Sequence, residues 1–102
     1  MKVYNMRNSN GNKAVNQFEL TGEFKISHPD YPGTYPGKAF QSYNSIIAVI
    51  IFVDGKKKVF LDSYYWNYSN TTSKFRNIFL NENKKETEKK IASKEYILTD
   101  LN

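Results

Sequence analysis

Hydrophobic residues recur along this chain with two periods, and the change between them divides it. From Val15 to Ile26 apolar residues stand among polar and charged ones, with Phe24 and Ile26 two apart. That alternation predicts a strand, broken near Gly22, or a short hairpin. Residues 46–53, IIAVIIFV, are continuously apolar and rich in β-branched side chains, as in a strand covered on both faces. Asp54-Gly55 follows, a dipeptide suited to a two-residue hairpin turn, and residues 56–61 return as the partner strand. Then the period lengthens. Phe75, Ile78 and Phe79 fall at i, i+3 and i+4, one apolar stripe of a helix over about 71–80. Ser69, Asn70 and Thr71 are all good N-caps for it. Lys74, Arg76 and Asn77 lie off the stripe and are expected to face water or a partner. Lys84–Glu88 and Glu86–Lys90 stand at i, i+4 in a run of mixed charge, predicting a second, solvated helix over about 84–92. Residues 95–99, EYILT, read as a closing strand.

Two stretches carry no such rhythm. Residues 1–13 are polar and asparagine-rich, with a turn dipeptide at Asn10-Gly11. Residues 28–38 hold all three prolines and two Tyr-Pro-Gly triplets, which predicts an irregular loop with type II turns. Its tyrosines are expected to lie back on the core. A recognition loop is the competing reading, since long loops are functional more often than average. The expected architecture is one α+β domain over 1–102: a small antiparallel sheet centred on the 46–61 hairpin, with a helix packed on one face through Phe75, Ile78 and Phe79.

At 102 residues the chain suits one domain with a small core. The absence of cysteine removes disulfides, thiolate metal sites and a cysteine nucleophile. The first residues lack the apolar run of a signal peptide, and the longest apolar run is far short of the ~20 residues that span a bilayer. A cytoplasmic protein without a membrane partner is expected. The net charge of +5 and pI near 9.4 favour a polyanionic partner, although a charge of this size also serves solubility. The abundance of lysine and asparagine beside scarce alanine fits AT-rich coding, which accounts for part of the excess.

Candidate chemistry is sparse. His28, the only histidine, could act as a general base, but no partner stands at a recognisable spacing, so a turn role is expected. Asp54, Asp62 and Asp100 could converge on a metal. Asp54 is better explained by the hairpin turn and Asp62 by the strand end. No nucleotide-binding, hydrolase or zinc motif occurs. The expectation is a non-enzyme without cofactor or metal. For binding, the candidates are Lys56, Lys57, Lys58, Lys74 and Arg76, with Tyr64, Tyr65 and Trp66 close in sequence. Basic residues interleaved with aromatics bind single-stranded nucleic acid through phosphate contacts and base stacking. Trp66 and the alternate tyrosines are nevertheless expected in the core, where a small domain needs their area.

The segments Ser42-Tyr43-Asn44-Ser45, Trp66-Asn67-Tyr68-Ser69, Thr71-Thr72-Ser73-Lys74, Phe79-Leu80 and Tyr96-Ile97-Leu98 resemble a group of small proteins carried by phages, plasmids and other mobile elements of Gram-positive bacteria. The likeness covers about the last three-fifths of the chain and does not place the first 38 residues. Some small mobile-element proteins of this kind are anti-CRISPR inhibitors of type II RNA-guided nucleases. The resemblance therefore implies a non-enzymatic inhibitor that binds the nuclease, its guide RNA or both. A basic nucleic-acid-binding accessory protein of a phage or plasmid is the alternative.

Overall fold

The computed structural model describes all 102 residues. Five consecutive strands come first: β1 (Lys2–Arg7), β2 (Lys13–Lys25), β3 (Thr34–Ser42), β4 (Ser45–Val53) and β5 (Lys56–Asp62). Two helices follow, α1 (Asn70–Leu80) and α2 (Lys84–Ala92), and then β6 (Tyr96–Thr99). All six strands form one sheet in chain order. The fold is α+β. β1 to β5 are an antiparallel meander, but β6 runs parallel to β5, with Phe60 opposite Ile97. The sheet expected to be antiparallel throughout is thus mixed. Parallel neighbours need a long crossover, and α1 with α2 supplies it.

The hairpin of β4 and β5 turns at Asp54 (φ 51°) and Gly55 (φ 77°), both left-handed as a type I′ turn requires. Within β4, Phe40 pairs with Ala48 while Gln41 pairs with Ile46, so Ile47 is an extra residue. This bulge turns both Ile47 and Ala48 to the same side of the sheet. Residues 46–53 therefore show no alternation for two reasons, burial on both faces and a broken register.

Three expectations need correction. β2 is one unbroken strand through Gly22. The asparagine-rich start contains β1, whose residues are mostly exposed and which exists as a strand because β2 offers it a partner. The second Tyr-Pro-Gly triplet lies in β3 rather than in a loop. Pro36 is tolerated there because β4 pairing begins only at Gly37, leaving Pro36 a partner on one side alone. A Cβ on Gly37 would meet the Ile50 carbonyl oxygen at 2.0 Å, so only glycine fits this close strand approach.

The two faces of the sheet are covered differently. On one, Phe40, Ile50, Val59 and Leu61 lie under Phe75, Phe79 and Leu80 of α1. The inward stripe of α1 is Thr72, Phe75, Arg76, Phe79 and Leu80, and Ile78 is 51% exposed. The helix is where it was expected but is rotated: two polar side chains take core positions, and Ile78, expected to pack inward, faces out. On the other face, Ala39, Val49, Ile51 and Phe60 are covered by no helix. The segment after β2 folds over them, with the Tyr31 ring 5.1 Å edge-on from Phe60 and His28 6.1 Å from it.

Candidate functional site

The link from β5 to α1 is shaped by two buried charged side chains. One oxygen of Asp62 accepts hydrogen bonds from the backbone N–H of Tyr64 (3.1 Å) and Tyr65 (2.8 Å). Its other oxygen accepts from the N–H of Leu101 (2.8 Å) and from Asn102 Nδ2 (3.1 Å). Arg76 donates from Nη1 to the Trp66 carbonyl at 2.7 Å and from Nη2 to Asn77 Oδ1 at 2.9 Å. Its guanidinium lies 5.3 Å from the Trp66 ring centre, within cation–π range. Trp66 thereby packs against the core while remaining half-buried. Burial pushes the Arg76 pKa down, with Glu82 and Glu88 opposing it. No carboxylate contacts the guanidinium, and Nε has no hydrogen-bond partner.

Held in this way, the link presents its tyrosines outward. Tyr64 and Tyr65 meet edge-on at 4.6 Å, and Tyr65 and Tyr68 at 5.4 Å. Tyr64 is 73% exposed and Tyr68 64%, contrary to the core role expected for the alternate tyrosines. Tyr65 and Tyr68 line a cleft of about 430 Å3 together with Tyr43 and Asn44 of the β3–β4 turn, Ser42 and Thr72. That volume is in the range of small-molecule sites. Tyr43 adopts φ 57°, uncommon for a bulky residue, and its N–H donates to the Asn16 carbonyl at 2.7 Å.

The cleft borders the start of α1. Ser69 is the N-cap and accepts from the Thr72 N–H at 3.1 Å. No acidic residue stands in the first turn, so the positive end of the helix dipole is not neutralised there. Ser69 Oγ donates to Thr72 Oγ1 at 3.0 Å, and Thr72 Oγ1 shares a hydrogen with Ser42 Oγ at 3.0 Å. Gln17, opposite Ser42 on β2, is fully buried with Oε1 unpartnered.

A second polar cluster lies where α1, α2 and β6 meet. The Glu82 side chain, 3% exposed, accepts from Lys90 Nζ at 2.8 Å, from Tyr96 OH at 2.7 Å and from Thr87 Oγ1. Burial pushes the Glu82 carboxyl up, but the hydrogen bonds from Lys90, Thr87 and Tyr96 and the charge of Lys90 outweigh it, and the pKa falls below its ordinary value. Burial, then the bond to Glu82, pushes Tyr96 up to about 12. The bond to Glu82 raises Lys90 despite its own desolvation. Every member is satisfied within the cluster, so it reads as a clasp between elements. The i, i+4 ion pairs expected along α2 do not form, because Lys90 turns to Glu82 and Glu86 closes a capping box with Asn83.

The chain belongs to the family DUF8033. This family is described as one of unknown function, and it matches residues 1–96. No curated protein and no solved structure matches the chain. The DUF8033 match includes residues 1–38, the part that the mobile-element resemblance leaves unplaced.

The expected binding residues do not gather into one patch. Lys56 and Lys57 are exposed and Lys58 is half-buried beside the Asp54-Gly55 turn. Lys74 is exposed near the start of α1, two residues beyond Thr72, which bonds to Ser42 beside the opposite end of β4. The nine residues of β4 put about 26 Å between those ends. Arg76 is fully buried and is a structural side chain here, which corrects the expectation that it faces a partner. No group of three or more His, Cys, Asp or Glu side chains is placed to hold a metal ion. No helix is long and apolar enough to cross a membrane. Sequence spacing missed Ser42, Tyr43, Asn44 and Thr72, because a turn and a helix start about 30 residues apart meet only in the folded chain.

Proposed function

We propose that this protein acts by binding rather than by catalysis, and that its target is single-stranded RNA. In the mobile-element setting that the resemblance implies, the strand is the guide RNA of a type II RNA-guided nuclease, and binding it inhibits the nuclease by blocking guide loading. The observation that carries the reading is the exposed tyrosine cluster at the rim of the cleft, in a chain of net charge +5. Exposed aromatic rings offer stacking platforms to unpaired bases, and basic side chains track the phosphates. A protein mimicking DNA in the basic channel of such a nuclease would be acidic, so mimicry is disfavoured. The segments Ser42–Ser45, Trp66–Ser69 and Thr71–Lys74, on which the resemblance rests, also come together around this cleft.

Target-DNA cleavage by a purified nuclease, with the protein added before or after guide loading, tests this reading. Inhibition only on early addition is the expected result. Full cleavage in both orders, across several nuclease homologues, overturns the inhibitor role. Salt-sensitive RNA or DNA binding in that case identifies an accessory nucleic-acid-binding protein. Reversing Lys56, Lys57, Lys58 and Lys74 together should weaken RNA binding and flatten its salt dependence, as fewer counterions are released.

A further inference from the structure

Resting on the nucleic-acid reading, we propose that the cleft is a subsite for one nucleotide of the bound strand. Its base lies against Tyr65 and Tyr68, and an acceptor atom of that base takes a hydrogen bond from the Ser42–Thr72 hydroxyl pair. Ser69, Thr72 and Ser42 carry three hydroxyl protons. The Ser69 proton goes to Thr72 Oγ1, and one more is used between Thr72 and Ser42. Whichever of those two donates, the other's proton has no acceptor among the protein's hydrogen bonds. Both side chains line the cleft, and their residues are only 3% and 2% exposed. The neighbouring Gln17 Oε1 does not take the proton, since it has no partner either. Both oxygens are partnered, so the spare proton is left to whatever fills the cleft they line, and an occupant that brings an acceptor can take it in place of water.

The surroundings define the rest of the occupant. Tyr65 and Tyr68 ask for a flat, polarisable face. The start of α1, without an acidic residue in its first turn, and the exposed Lys74 beside it ask for an anion. A nucleotide joins a flat base, an acceptor on that base and a phosphate in one ligand. The chain's positive charge favours it as part of a strand.

Fluorescence anisotropy with two labelled single strands of equal length and charge separates this subsite from general binding. One strand carries every base, and the other carries abasic sugars. The wild-type protein should bind the base-bearing strand more tightly. Tyr68→Ala, at an exposed position that tolerates truncation, should weaken that strand about tenfold and leave the abasic strand unchanged, and Tyr68→Trp should restore it. Ser42→Ala with Thr72→Val should lose affinity for the base-bearing strand alone, with folding checked by Trp66 fluorescence. If that double variant unfolds, the Tyr68 variants decide. Equal wild-type binding of both strands, or equal weakening of both by Tyr68→Ala, overturns the subsite and leaves the binding reading in place. No binding of either strand at low salt overturns both.

Discussion

The sheet has two covered faces, and they are covered by different means. Under α1 the core includes buried polar side chains: Thr72, Arg76, Ser42 and Gln17 sit beside Phe40 and Phe79. Under the 26–33 segment the core is aliphatic and aromatic, built on Phe60, Ile51 and Tyr31. A helix satisfies its own backbone and can bring polar side chains inward when each finds a partner. An irregular cover has fewer internal hydrogen bonds and holds mainly through ring contacts. The helical side gains directional bonds that fix the neighbouring link and, through it, the cleft. The loop side gains mainly buried area, with hydrogen bonds at its margin from Thr99 to the Ser27 carbonyl and from Leu101 and Asn102 to Asp62.

Truncating matched rings is the strongest way to break this comparison. Phe40 and Phe60 are both fully buried, one under each cover. Each change to alanine should cost about 3–5 kcal/mol, with the spread set by how far the site collapses. Phe60→Ala should lie at the lower end, since a loop can settle into the void, and Phe40→Ala at the upper end. Equal costs in urea denaturation would mean the two covers are equally rigid. Arg76→Met comes next. It keeps the stem's packing but leaves the Trp66 carbonyl without its donor, so a loss of about 1–3 kcal/mol is expected. Trp66 emission should shift to the red as the link loosens. Unchanged emission would separate Arg76 from the positioning of the tyrosines.

Tyr96→Phe, which removes a hydrogen bond to the buried Glu82 carboxylate, should have the smallest effect, about 1–2 kcal/mol at neutral pH. The Tyr96 pKa is raised to about 12, so the folded state favours the protonated phenol. That contribution is complete below the unfolded value near 10 and is lost as pH rises toward 12. Lys90 is raised as well and acts in the same direction. Glu82 is lowered, so its contribution is present above the ordinary carboxylate range and is lost as acid protonates it. The fall of Tm with rising pH above 10 should be shallower in Tyr96→Phe. A parallel fall in both proteins would remove Tyr96 from the alkaline transition.

Local chemistry made much of this fold legible. Asp54-Gly55 requires left-handed backbone, and the cap of α1 is Ser69, one of the three residues whose type suits it. The phase of α1 was not legible, because periodicity scores Ile78 as apolar and Arg76 as polar whatever partner waits inside. β1 was not legible because an exposed strand owes its form to its neighbour. The direction of β6 depends on how two helices cross the sheet, which residues 96–99 do not encode. Of the site, the tyrosines were visible as residues but read as core. The cleft itself is a tertiary object.

The late arrival of β6 has a consequence for how the protein reaches its native state. β1 to β5 can pair in order as the chain is made, each with the strand just before it. β6 comes last in the chain, so β5 has no partner on that side in any state in which Tyr96 to Thr99 have not docked. In such a state Val59, Phe60 and Leu61 would be an unprotected edge, the kind of strand that captures other chains. Lys56, Lys57 and Lys58 lead directly into it. Lysines beside an apolar edge act as gatekeepers, since like charges keep two such edges apart. The basic end of this hairpin thus sets like charges against the pairing of two such edges.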